Sequence, residues 1–126
     1  MAKVLGVGGV FFRSEDGSAL ADWYARWLGM EIDPSFGGAM FRPGQQPSGG
    51  FTLWTPFAAD TTYFGRAEQS YMINLVVDDV RAAIEQVREG GAEIAGDIED
   101  SEFGAFGWFV DPDGNRVELW QPPLAD

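Results

Sequence analysis

W-F-V-D-P-D-G-N-R-V-E-L-W-Q-P, residues 108–122, is the stretch whose reading decides the fold. Two apolar runs flank the turn sequence Asp111-Pro112-Asp113-Gly114-Asn115. Proline presets φ at the entry, Gly114 accepts positive φ, and Asp and Asn hydrogen-bond their own backbone, so a β-hairpin is expected here. Beyond the turn the side chains alternate. Val117 and Leu119 share one face of a strand, while Arg116, Glu118 and Trp120 share the other. A carboxylate beside a tryptophan on one face belongs either to a solvated edge or to the floor of a cavity.

Working outward, Tyr71 to Val77 reads as a strand, and Asp78-Asp79 caps a helix whose apolar stripe is Val80, Ala83, Ile84 and Val87. Gly90-Gly91 ends that helix, Glu93 to Ile98 is a short strand, and Asp97 to Gly104 is an acidic, glycine-punctuated loop. The first half has the same parts. Lys3 to Arg13 reads as a strand, and Ser14 to Gly17 carries turn and cap chemistry. Leu20, Trp23, Tyr24, Trp27 and Leu28 make one helical stripe, closed by Gly29. Short strands are expected at Glu31-Ile32 and Ala39 to Arg42, a loop at Pro43 to Gly50, and a strand at Phe51 to Thr55.

The halves match in order and at nearly constant offset. Asp16 answers Asp79, L-G-M-E-I at 28–32 answers G-G-A-E-I at 90–94, and F-T-L-W-T-P at 51–56 answers V-E-L-W-Q-P at 117–122. This is a tandem duplication of a β-α-β-β-β unit. One unit alone leaves a sheet face bare, so two must pair to close a core. The modules are residues 1–56 and 71–126, within a single domain, joined by the connector 57–70.

Composition narrows the chemistry. A chain of 126 residues that is 45% hydrophobic folds as one soluble globule. No apolar run approaches the ~20 residues of a membrane span, and no signal peptide is evident, so the cytoplasm is the expected location. The absence of cysteine and histidine removes thiol nucleophiles, disulfides, histidine bases and histidine-containing zinc sites. A net charge of -12 repels nucleic acid and anionic membranes and favours cationic ligands, or serves solubility alone.

With the duplication and D-P-D-G-N-R-V-E-L-W at 111–120 in view, the chain resembles the vicinal oxygen chelate superfamily. That superfamily includes glyoxalase I, the bleomycin-resistance proteins and the extradiol dioxygenases. The resemblance implies an α+β fold in which two tandem βαβββ modules form a curled, eight-stranded mixed sheet around a cavity, with the helices outside. It also implies a homodimer. Metal-dependent members chelate a divalent ion with one side chain from each of four strands, and the corresponding positions here are Gly9, Thr52, Met72 and Glu118. Glycine offers no side chain, a thioether is a poor ligand for hard cations, and a threonine hydroxyl is a weak donor. The quartet is degenerate, no cofactor is expected from it, and Glu118 is the single strong donor left for a divalent ion.

On the same inferred face, counting in twos from the quartet gives Phe11, Arg13, Trp54, Asn74 and Trp120 as candidate ligand-binding residues. Each has an ordinary reading too. Trp54 and Trp120 either flank a flat ligand or pack at the mouth of the sheet. Asn74 either meets a ligand or satisfies a structural partner, and Arg13 either meets an anion or lies on the surface. Glu118 either pairs with a ligand or acts as a catalytic base. Tyr63, Phe64 and Arg66 sit on a connector long enough for a lid or a dimer arm, or for a plain linker.

Three functions follow. The first is a metal-independent binder of a small, cationic or aromatic molecule, of the bleomycin-resistance type. The second is a lyase, isomerase or dioxygenase-type enzyme that uses Glu118 with an atypical metal or none. The third is an accessory dimer that has kept the fold and lost the chemistry.

Overall fold

The computed structural model describes residues 5, 7, 9–48 and 50–123. Its centre is the hairpin. Strands β6 (Gly104–Val110) and β7 (Arg116–Gln121) run antiparallel, with Val110 opposite Arg116, Trp108 opposite Glu118 and Phe106 opposite Trp120. Asp111 closes the turn: its Oδ1 accepts from the backbone N–H groups of Asp113 and Asn115, each at 3.0 Å, and its carbonyl accepts from Gly114 at 2.8 Å. Gly114 has φ 82, which an L side chain rarely adopts.

Around this hairpin the chain places helix α1 (Gly17–Leu28), the small antiparallel pair β1 (Ile32–Asp33) and β2 (Gly38–Ala39), and a 3₁₀ turn at Pro43–Gln45. Strand β3 (Ile73–Val76), helix α2 (Val80–Glu89), β4 (Glu93–Ile94) and β5 (Glu99–Ser101) follow. The larger sheet is mixed, in the order β3-β7-β6-β4. β3 lies parallel to β7, and β5 also pairs with β6. Asp16 and Asp79 cap their helices by accepting from Ala19 and Ala82, as their positions predict.

Both helices pack on one face of the larger sheet. Leu20 and Tyr24 of α1 and Val80, Ala83, Ile84 and Val87 of α2 form a single core with Ala105, Phe109, Val117 and Leu119. Trp23 stacks on Phe109 with ring centroids 5.9 Å apart, and its indole donates to the Gly90 carbonyl at 2.9 Å. The Tyr24 hydroxyl donates to Asp111 Oδ2 at 2.9 Å, tying α1 to the hairpin turn. Burial, followed by the Asp111 charge, raises the Tyr24 hydroxyl well above its usual range. Burial also raises the Asp111 carboxyl, against the lowering effect of the hydrogen bonds it accepts.

The structure departs from the sequence expectation in the first half. The described part of Lys3 to Arg13 and all of Phe51 to Thr55 lie outside any strand; Lys3, Val4, Gly6 and Gly8 fall outside the described residues. Phe11 is 96% exposed. The described strands form a two-stranded and a five-stranded sheet, with no closed barrel. An alternating apolar pattern fixes which way side chains point but not which ladder satisfies the backbone, and these segments find none here. A smaller correction concerns the acidic stretch Asp97 to Gly104, expected as a loop. It contains β5, whose exposed Glu99 and Asp100 suit a charged sheet edge. Among the described residues no helix is long and apolar enough to cross a membrane.

Candidate functional site

The hairpin register decides which side chains meet on the face turned away from the helices. Even-numbered residues of β6 and β7 point there, so Phe106, Trp108 and Trp120 stand beside Glu118 and Arg116. The Phe106 ring lies nearly parallel to both tryptophans, 15° from Trp108 at 6.5 Å and 14° from Trp120 at 6.3 Å. The Trp120 indole donates to the Phe103 carbonyl at 2.7 Å, and the Phe51 ring packs against Trp120 at 4.9 Å.

Glu118 sits within this aromatic surface, 8% exposed. Its Oε1 accepts from Asn74 Nδ2 at 2.8 Å. Its Oε2 accepts from the Trp108 indole at 3.0 Å and from the Tyr63 hydroxyl at 2.5 Å. Each donor arrives from a different element. Asn74 is the parallel partner of Glu118 on β3, Trp108 is its antiparallel partner on β6, and Tyr63 comes from the connector. Partial burial, then the bond to Glu118, pushes the Tyr63 hydroxyl up to about 12.

The connector is fastened to the sheet. Gln69 accepts from the Arg116 backbone N–H at 2.7 Å and donates to the Arg116 and Tyr71 carbonyls, both at 2.8 Å, doing the work of a missing strand neighbour. Tyr63 stands edge-on to Trp108 at 6.3 Å, and Phe57 stacks on Tyr63 at 5.6 Å. The Arg116 guanidinium lies 5.9 Å from the Tyr63 ring centroid and 5.7 Å from that of Trp108.

Of the residues singled out from sequence, the structure brings Glu118, Asn74 and Trp120 together on this face. Met72 is half-buried just before β3. Phe11, Arg13 and Trp54 are exposed and outside any strand, as are the quartet positions Gly9 and Thr52. Trp108 and Phe106 also belong to the face and are not among the sequence candidates, and Tyr63, named only as a connector residue for a lid or dimer arm, reaches Glu118. Trp108 and Phe106 were within reach of the sequence, since a turn at 111–115 sets 108 opposite 118 and 106 opposite 120. Nothing in the irregular stretch 57–70 marks Tyr63 over its neighbours.

The four quartet positions do not fit a divalent metal. Gly9 and Thr52 are exposed, Met72 offers only a thioether, and the Glu118 carboxylate already accepts three protein donors whose hydrogens point at it. Among the described residues no group of three or more His, Cys, Asp or Glu side chains could hold a metal ion.

The family described as the glyoxalase-like domain matches residues 9–120. Among solved structures, TnmS3, an antibiotic binding protein from Streptomyces sp. CB03234, is 22% identical, with 98% of this chain and 100% of that chain covered, at a TM-score of 0.58. A member of the glyoxalase/bleomycin resistance protein/dioxygenase superfamily from Sphaerobacter thermophilus DSM 20745 is 22% identical over 96% of this chain and 98% of that one, at 0.50. TioX from Micromonospora sp. ML1 is 18% identical over 87% and 93%, at 0.51. At these identities the likeness is one of fold, which hosts many chemistries. No curated protein matches the sequence. The chain belongs to the glyoxalase-like domain family, within the vicinal oxygen chelate superfamily.

Proposed function

We propose that this protein is a metal-independent small-molecule binder of the glyoxalase/bleomycin-resistance kind, holding a flat ligand against the Phe106–Trp108–Trp120 face beneath the connector. One observation carries the reading: Glu118 is held by Tyr63, Asn74 and Trp108 in the middle of a ladder of near-parallel rings. Such a surface offers stacking area with a fixed acceptor at its centre. The connector 57–70 acts as the cover, and lifting it breaks the Tyr63–Glu118 bond and bares the Trp108 ring. A structural neighbour described as an antibiotic binding protein shares this fold, and we extend that kind of use to this chain. The enzyme reading, with Glu118 as the base of a lyase, isomerase or dioxygenase-type reaction, is less well supported. A general base must reach a substrate proton, and here both carboxylate oxygens are engaged by protein donors and the residue is buried.

We also propose that the chain works as a homodimer in which the first half's exposed segments complete the eight-stranded sheet around the ligand. Leu5 and Phe11 are 88% and 96% exposed, and β3 pairs on one side only among the described residues. Large bare apolar side chains and an open sheet edge each favour association. Sedimentation velocity at micromolar concentration is expected to give a dimer; a strictly monomeric species with no ligand would count against it.

Binding is tested by titrating planar aromatic compounds in the presence of EDTA, following tryptophan fluorescence and thermal unfolding. A bound compound at a hundred times its Kd should add ~2.7 kcal/mol to stability. Binding that appears only after a divalent metal is added would overturn the proposal, as would no response to any compound.

A further inference from the structure

We infer that the cleft beside Arg116 receives a carboxylate, so that the ligands of this protein are cyclic or aromatic monocarboxylates rather than cations. The inference rests on the binding reading above for the ring of the ligand, and on separate observations for its charge.

The cleft lies at the turn end of the inner face and encloses about 330 Å³ between Gly65, Arg66, Gln69, Glu93, Gly114 and Arg116. That is near the lower limit of ordinary ligand pockets and suits the polar end of a small molecule. Two guanidinium groups line it. Arg66 donates to the Asn115 side chain at 3.0 Å. Arg116 donates from Nη1 to the Ala95 carbonyl at 3.2 Å, while its Nε is enclosed without an acceptor. Among the described residues neither is ion-paired; the two pairs present are Arg81–Asp100 and Arg88–Glu85. In a chain with 20 acids and 8 bases, two cations sharing one concavity with a single carboxylate, Glu93, that pairs with neither are the reverse of what composition favours.

One of the two forks of donors is positioned by its neighbours, as anion recognition requires. Arg116 is held over the Trp108 and Tyr63 rings. Gly65, at φ 89, lets the connector lie against it, since a Cβ there would come within 3.3 Å of Arg116 Cδ. The overall charge of -12 does not forbid an anion, because fields between exposed charges are screened beyond ~8 Å at physiological salt. Glu93 on the same wall reduces the local charge to a single positive one, which matches a monocarboxylate better than a phosphate dianion. Arg116 precedes Glu118 by two residues on one face, about 7 Å along the strand, so a ring attached to the bound carboxylate reaches Trp108.

The test is a pair of NMR titrations on ¹⁵N-labelled protein, with benzoate and with benzamide, following the Gly65 and Gly114 amides and the Trp108 indole N–H. Benzoate is expected to shift all three saturably and to bind at least about tenfold more tightly than benzamide. Arg66→Gln removes only an exposed hydrogen bond from the fold and should reduce that preference to about threefold or less. If acid and amide bind equally, or the preference survives in both Arg66→Gln and Arg116→Lys, the carboxylate assignment falls while the ring platform stands. Benzoate shifts at Gly65 and Gly114 without a shift at Trp108 would uphold the anion site and sink the platform. Inorganic phosphate binding more tightly than benzoate, or no saturable benzoate shift at all, would overturn the inference.

Discussion

F-T-L-W-T-P at 51–56 and V-E-L-W-Q-P at 117–122 are one strand pattern written twice, and the fold treats the copies in opposite ways. Leu119 is fully buried while Leu53 is 72% exposed, and Trp120 is 5% exposed against 80% for Trp54. The later copy has a hairpin mate across a short turn, a parallel neighbour in β3 and a helix beneath it. The earlier copy follows P-G-Q-Q-P-S-G-G and pairs with no strand, although Phe51 packs on Trp120 of β7. A strand pattern is thus a statement about faces, and burial depends on the partner that arrives.

The largest expected effect sharpens this contrast. Leu119→Ala should cost ~2–5 kcal/mol in urea unfolding, and Leu53→Ala ~0.5 kcal/mol or less when measured on dilute monomer. Equal costs would break the comparison, because they would mean that both copies are buried in solution. Repeating the measurement at concentrations that favour a dimer should raise the cost of Leu53→Ala alone.

Next in size is the pair of turns. Asp111→Ala leaves two backbone N–H groups and the Tyr24 hydroxyl without their acceptor and is expected to cost ~2–3 kcal/mol. Asp33, whose carboxylate accepts only from Ser35 at an exposed turn, should matter far less when changed to alanine. Asp111 also has a pH signature. Its folded-state pKa is raised by burial above the ordinary 3.8, so the folded state holds the proton more tightly than the unfolded chain. The stability of wild type relative to Asp111→Asn should therefore be greatest below about pH 3.8 and fall as pH rises through the folded value.

The smallest effect lies at the cover. Tyr63→Phe removes one hydrogen bond to Glu118 and should cost ~1 kcal/mol or less, because Tyr63 keeps some exposure. With a folded-state pKa pushed up to about 12, Tyr63 contributes stability that is intact below its ordinary value of 10 and lost as pH rises from there through 12. Ultraviolet titration should show a tyrosine step near 12, ahead of the still more strongly raised Tyr24, that Tyr63→Phe abolishes.

The second half of the fold was legible because its signals are local. D-P-D-G-N fixes a turn, the turn fixes a register, and the register puts Glu118 beside Trp120 and opposite Trp108. Asn74 was legible as an amide in an apolar strand that needed a partner, and the partner is Glu118. Phe11 and Trp54 have the same alternation but no nearby turn to name their neighbours. Tyr63 was hidden for a different reason: its role comes from the path of an irregular connector, which no periodicity records. Composition is blind to local charge, since the net sum of -12 averages over a surface on which Arg66 and Arg116 share one cleft.

The most direct test of the central claim is an NMR titration of untagged protein with Mn²⁺, watching the Trp108 indole N–H that donates to Glu118. With Glu118 held by three protein donors, that signal is expected to survive at equimolar metal while exposed acidic regions broaden first. Loss of the Trp108 signal at or below one equivalent would place the ion on Glu118 and contradict the account.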